Sequence, residues 1–99
     1  MPKAYIVARI DVTDEAEYRK YVVATPGLAA RFGGRFIARG GRHEALEGSA
    51  RSRNVIIEFP DFASAKAFYD CDGYQAVLPH ALTGSDRELV LVEGVEETA

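Results

Sequence analysis

Arg53-Asn54-Val55-Ile56-Ile57-Glu58-Phe59-Pro60-Asp61 decides the fold. Val55, Ile57 and Phe59 alternate with Asn54, Ile56 and Glu58, the period of two that marks a half-buried strand. Pro60 cannot donate to a ladder, so Pro60-Asp61 stops the strand and starts a helix. Phe62, Ala65, Phe68 and Tyr69 then share one helical stripe. A strand that turns directly into an amphipathic helix calls for one sheet layer and one helix layer.

Working outward, Lys3 to Asp11 reads as a first strand, with Ala4, Ile6, Ala8 and Ile10 on one face and Tyr5, Val7, Arg9 and Asp11 on the other. Asp14 and Glu17 have capping-box spacing and open a helix. Tyr18, Tyr21, Val22, Thr25, Leu28, Ala29 and Phe32 line its inner face. Pro26 is expected to kink or split that helix, and Gly33-Gly34 to end it. Gly34 to Gly40 is a second strand, with Phe36, Ala38 and Gly40 opposite Arg35, Ile37 and Arg39. Glu44 to Gly48 reads as a short strand or a loop. Asp70-Cys71-Asp72-Gly73 interrupts the second helical region, and Tyr74 to Leu78 adds a turn or two that Pro79 ends. After a loop at 83–86, Glu88 to Gly94 is the last strand.

The order is β-α-β-β-α-β, within a single domain over residues 1–99. The commonest solution is an α+β two-layer sandwich, with a four-stranded antiparallel sheet in the order 4-1-3-2 and both helices on one face. Strands 1 and 3 are expected as parallel neighbours. That would place Glu58 between Arg9 and Arg35, and Asn54 near Arg39 and Tyr5. Val90 and Val92 are expected beneath the helices. The open face would carry Tyr5, Val7, Arg9, Ile37, Arg39, Ile56, Glu58, Leu89 and Leu91. That is too apolar to leave wet, so a homodimer through the open sheet face is expected.

Composition narrows the function classes. The 12 Lys and Arg stand against 15 Asp and Glu, for a net charge of −3, which offers no global attraction to nucleic acid or anionic lipid. The third strand also lacks the open-face aromatics of an RNA-recognition sheet. One Cys excludes an internal disulfide. No apolar stretch approaches the ~20 residues of a membrane span, and Met1-Pro2-Lys3 does not resemble a secretion signal. The expectation is a cytoplasmic protein without nucleic-acid or membrane partners.

Several segments together resemble a known family. Lys3 to Val12 looks like its opening strand, and Phe36-Ile37-Ala38-Arg39-Gly40-Gly41 like its central one. Leu46-Glu47-Gly48, Val55 to Pro60, Ala67-Phe68-Tyr69-Asp70 with Tyr74-Gln75-Ala76, and Leu89 to Gly94 follow in the family's order. The family is the bacterial domain of unknown function 1330, in the dimeric α/β-barrel superfamily. The resemblance implies a ferredoxin-like fold and a homodimer whose sheets form a barrel. Superfamily relatives include cofactor-free monooxygenases, lactone isomerases and stress-related binders, so the resemblance implies little specific chemistry. Cys71-Asp72-Gly73 departs from the family's usual Ser-Pro-Glu, and His80 stands where a basic residue is usual.

The candidate chemistry is organic and needs no cofactor. Glu58, flanked by arginines, is a candidate acid/base or an interface ion pair. Arg39 beside Gly40-Gly41 is a candidate clamp for a carboxylate or phosphate, or an interface arginine at a bulged strand end. Tyr18, Tyr69 and Tyr74, with Tyr21, either roof a pocket or pack as core over small residues. Arg9 is a further candidate ligand contact. His80 is a candidate proton carrier at a pocket mouth. Two histidines and one cysteine are too few for a metal site, and none is expected. Two readings stay open: a homodimer that binds a small organic molecule, with cofactor-independent activity of the monooxygenase or isomerase kind, and a non-catalytic dimeric binding or stress-associated module.

Overall fold

The computed structural model describes residues 2–96. Strand β1 is Ala4–Val12, helix α1 Glu15–Ala30, strand β2 Arg35–Arg39, strand β3 Arg53–Phe59, helix α2 Phe62–Asp70, helix α3 Asp72–Gly84 and strand β4 Ser85–Glu93. The sheet order β2-β3-β1-β4 is the expected 4-1-3-2 read from the other edge. All three helices lie on one side, a ferredoxin-like sandwich whose second crossover is split into α2 and α3. The split falls at Cys71, whose extended backbone ends α2 and whose Sγ accepts a hydrogen bond from the Tyr74 amide at 3.4 Å. The segment expected as a short strand or a loop, residues 44–48, is a loop.

Every strand pairing is antiparallel. The expectation of parallel β1 and β3 is therefore corrected. The crossover through α1 sends β2 in the direction of β1, and β3 returns between them. In this register Glu58 stands opposite Tyr5 and Arg35, and Asn54 opposite Arg9.

Two side assignments also change. On β2 the register slips between Phe36 and Ala38, so that Phe36 pairs with Ile57 and Ala38 with Ile56. This bulge adds one residue to the count of two. Arg39 is thereby turned from the open face to the helix face, opposite Val55. On β4, Leu91, Leu89 and Arg87 pair with the inward residues Ile6, Ala8 and Ile10. Leu89 and Leu91 thus lie beneath the helices, and Val90 and Val92 are outside, 57% and 46% exposed. Leu89-Val90-Leu91-Val92 is aliphatic on both faces, so alternation alone could not choose.

Helix α1 runs unbroken through Pro26. Proline removes the N–H that would bond the carbonyl four residues back, at Val22. That carbonyl instead accepts from Thr25 Oγ1 and from Arg39 Nη2, each at 3.3 Å. Helix α3 likewise continues past Pro79 to Gly84, replacing the expected loop, with Gln75 and Pro79 on its exposed side. The start of α1 is tied to the end of α3: the Thr13 and Asp14 amides donate to Gly84 O at 2.8 and 3.1 Å. A Cβ on Gly84 would sit 2.9 Å from the Tyr18 nitrogen, so this approach requires glycine. The core between the layers joins Ala4, Ile6 and Ile10 to Val55, Ile57 and Phe59, under Tyr21, Phe68 and Tyr74.

Candidate functional site

The bulky aromatics of α1 and α3 do not close completely over the small residues of β1. Between the layers they leave a cavity of about 30 Å³, walled by Tyr18, Tyr21, Phe68 and Tyr74 from the helices and by Ala8 and Leu89 from the sheet. Such a volume holds about two waters. Three arginines also line it: Arg39 from β2, Arg53 from β3 and Arg87 from β4. No Asp or Glu does. An open depression of about 340 Å³ lies beside it, lined by Val12, Val22 and Val23 with Glu15 and Arg19. Tyr18, Val22 and Arg53 belong to both spaces and separate them.

Three polar side chains of the cavity form one chain. Tyr21 and Tyr74 join hydroxyl to hydroxyl at 2.7 Å, with their rings edge to face and centroids 5.7 Å apart. Arg87 Nη2 donates to Tyr74 Oη at 3.1 Å, and its guanidinium lies 4.7 Å from the Tyr21 ring centre. Arg87 Nη1 and Arg53 Nε are buried with no partner. Burial, with Tyr21 beside it, pushes the Tyr74 phenol far above its usual range. Burial likewise raises Tyr18. Burial works against the Arg87 charge, but the Tyr21 and Tyr74 oxygens outweigh it and its pKa rises. The cavity therefore presents a fixed cation beside neutral phenols.

The other sequence candidates fall elsewhere. Tyr69 is half-buried beside Tyr74, with ring centroids 5.1 Å apart, and lines a second depression with Lys66, Leu89 and Leu91. Glu58 is on the open face of β3. Arg35 Nε donates to its Oε1 at 3.0 Å, and Lys3 Nζ lies 3.6 Å away, where Arg9 was expected. The Arg35 hydrogen bond holds the Glu58 pKa below the usual carboxylate range, against a smaller desolvation. Arg9 is also on the open face, opposite Asn54, 3.7 Å from Glu88 and bonded to Ser49 O. His80 Nδ1 meets Glu17 Oε1 at 2.7 Å on the seam between α1 and α3. This bond lowers the Glu17 pKa. The capping box is thus one-sided: Asp14 accepts from the Glu17 amide, while the Glu17 carboxylate turns to His80. Among the described residues no group of His, Cys, Asp and Glu could hold a metal. No helix there is long and apolar enough to cross a membrane.

Sequence reasoning did not single out Arg87 and Arg53 as site residues. Arg87 lies at the period of an inward residue once the strand is started at Ser85. The signal was present, but it was hidden by the assumed loop at 83–86.

The sequence profile of the family described as Domain of unknown function (DUF1330) matches residues 3–95. No protein of curated function matches significantly. Among solved structures, a protein of unknown function from Rhodopseudomonas palustris is similar with a TM-score of 0.76 at 14% identity, over 97% of this chain and 85% of that one. A dimeric ferredoxin-like protein of unknown function from Jannaschia sp. CCS1 gives 0.71 at 16% identity, over 92% and 98%. SnoaB, a cofactor-independent oxygenase from Streptomyces nogalater, gives 0.66 at 19% identity, over 99% and 97%. At these identities the likeness is one of fold.

Proposed function

The chain belongs to the DUF1330 family, and from that premise we propose that it is a homodimeric binder of a small organic molecule, held between the helices and the sheet. The observation that carries this reading is the cavity of about 30 Å³ together with the depression of about 340 Å³ that shares Tyr18, Val22 and Arg53 with it. An aromatic and aliphatic enclosure with a few converging polar groups is the usual form of a small-molecule site. Tyr18, Tyr74 and Arg39 are its proposed ligand contacts, and Tyr69 stands behind Tyr74.

The proposed dimer joins the open sheet faces. Ile37, Val90 and Val92 are about half exposed there, around the half-buried Val7 and Ile56. A contiguous aliphatic band of this kind is characteristic of an interface. The Jannaschia relative is itself dimeric, which supports the same assembly here. Glu58 and Arg9 then serve as ion-pairing residues at the ends of that band, since each already has a partner within the chain.

Cofactor-independent chemistry, as in the oxygenase relative, fits this cavity in one form. Its lining offers donors and a cation but no carboxylate or imidazole base. It would stabilise an anion rather than abstract a proton. The reading as a non-catalytic dimeric module rests on the internal pairing of Glu58 and on the His80–Glu17 bond, neither of which lines the cavity.

Native mass spectrometry of the freshly purified protein tests both parts. Twice the monomer mass, with added mass released on denaturation, is the expected result. A monomer would overturn the assembly. A dimer without added mass, whose amide spectrum shows no cavity residue shifting with any member of a small-molecule library, would overturn the binding reading.

A further inference from the structure

The cavity holds more donors than acceptors. The two phenols Tyr21 and Tyr74 carry two hydroxyl protons, and their mutual bond uses one. The other has no acceptor among the described hydrogen bonds. Arg87 Nη1 and Arg53 Nε are likewise buried and unpaired. Three unpaired donors therefore belong to side chains that line a space whose lining contains no carboxylate. Buried donors left without partners are costly, and a buried guanidinium without a counter-ion more so. Water can satisfy donors but does not neutralise the charge.

Resting on the binding reading above, we propose that the ligand is a small organic acid, its carboxylate in the cavity against Arg87, Arg53 and the tyrosine pair, and its apolar remainder in the depression between Val12, Val22 and Val23. The dimensions agree with this division. About 30 Å³ admits a carboxylate group but not a ring or chain, and about 340 Å³ outside it admits a short chain or a single ring. Tyr18, Val22 and Arg53, common to both spaces, would flank the bond between head and tail. Arg39 contacts the ligand from the β2 side of the cavity, with its Nη2 also donating to Val22 O.

The test is calorimetric titration of the full-length protein with benzoate and hexanoate, and with the uncharged benzamide and hexanamide. Amide and arginine Nε–H resonances are followed in parallel. The acids are expected to bind at least about tenfold more tightly than the amides, since a charge-assisted pair is replaced by a neutral one. The Arg53 Nε–H resonance should shift on binding. Arg87→Met and Arg53→Met should each weaken the acids by about tenfold or more and the amides by distinctly less, since the amide carbonyl loses a hydrogen bond but no ion pair. Should Arg87→Met fail to fold, Arg53→Met and the Arg53 resonance decide. Equal binding of acids and amides, with shifts at the cavity, would overturn the carboxylate assignment and leave the binding reading standing. Acid binding indifferent to both arginine variants would overturn the site. No binding of any of the four probes, with no cavity shifts, would overturn the carboxylate assignment together with the binding reading beneath it.

Discussion

Replacing Tyr74 with Phe removes one oxygen and keeps the ring, yet two bonds depend on that oxygen. Tyr74 is fully buried, and its hydroxyl both pairs with Tyr21 and accepts from Arg87. Loss of the neutral hydroxyl pair costs about 1 kcal/mol. Loss of the arginine bond costs about 2 kcal/mol more, because it is charge-assisted and adds a second unpaired nitrogen to a guanidinium whose Nη1 already has none. Tyr21→Phe removes only the first bond, since Tyr74 still accepts from Arg87. The expected losses are about 3 kcal/mol for Tyr74→Phe and about 1 kcal/mol for Tyr21→Phe. In a domain of this size they lower the melting temperature by roughly 15 °C and 5 °C. Urea unfolding followed by circular dichroism measures both. Protomer concentration must be held constant, because the proposed dimer would make apparent stability depend on it. Equal losses in the two variants would refute the assignment of Arg87's support to Tyr74.

Gly84→Ala should destabilise by about 1–3 kcal/mol, because its Cβ would press on the Tyr18 nitrogen and the Asp14 carbonyl, backbone atoms that cannot swing aside; a thermal melt within 1 °C of the parent would contradict that contact. Glu58→Gln should flatten the acid limb of the stability profile. The Glu58 pKa is lowered on folding, so its contribution is complete above the unfolded value and is lost as pH falls through the folded one. Melting temperatures between pH 7 and pH 3 check this, and parallel profiles for variant and parent would speak against it. Val90→Asp places a charge on the β4 side of the aliphatic band, opposite Val7, and should shift sedimentation from dimer to monomer, with the monomer's helix content retained; an intact dimer would move the interface elsewhere.

Much of the fold was legible because β1 and β3 each have one unambiguous face. Ala4, Ile6, Ala8 and Ile10, and Val55, Ile57 and Phe59, alternate with polar or mixed partners and are all buried. Legibility failed where a residue was counted without its neighbours. Arg39 sits two positions after Ile37, and only the slip against β3 reverses its side. Pro26 carries a kinking signal, but its orphaned carbonyl finds two donors, one of them from another element. Of the residues lining the cavity, Tyr18, Tyr21, Tyr74 and Arg39 were singled out from the sequence, Arg39 on the wrong face of the sheet, and Arg53 and Arg87 were not. Charged residues in a strand pattern read as solvent-facing by default, and these two lie on the inner side at the sheet's end.

The sequence by itself determined the element order, the two layers, the strand order and the aromatic lining of α1 and α3. The elements and the aromatic lining follow from local periodicity and from turn chemistry at Pro60-Asp61, which act within a few residues, and the layers and strand order from the commonest packing of that element order. Only the tertiary structure decided the direction of β1 against β3, the inner face of β4 and the convergence of Arg53 and Arg87 on the Tyr21–Tyr74 pair. Direction and register are set by cross-strand pairing between residues tens of positions apart. A buried charge is tolerated only where distant side chains arrive to meet it.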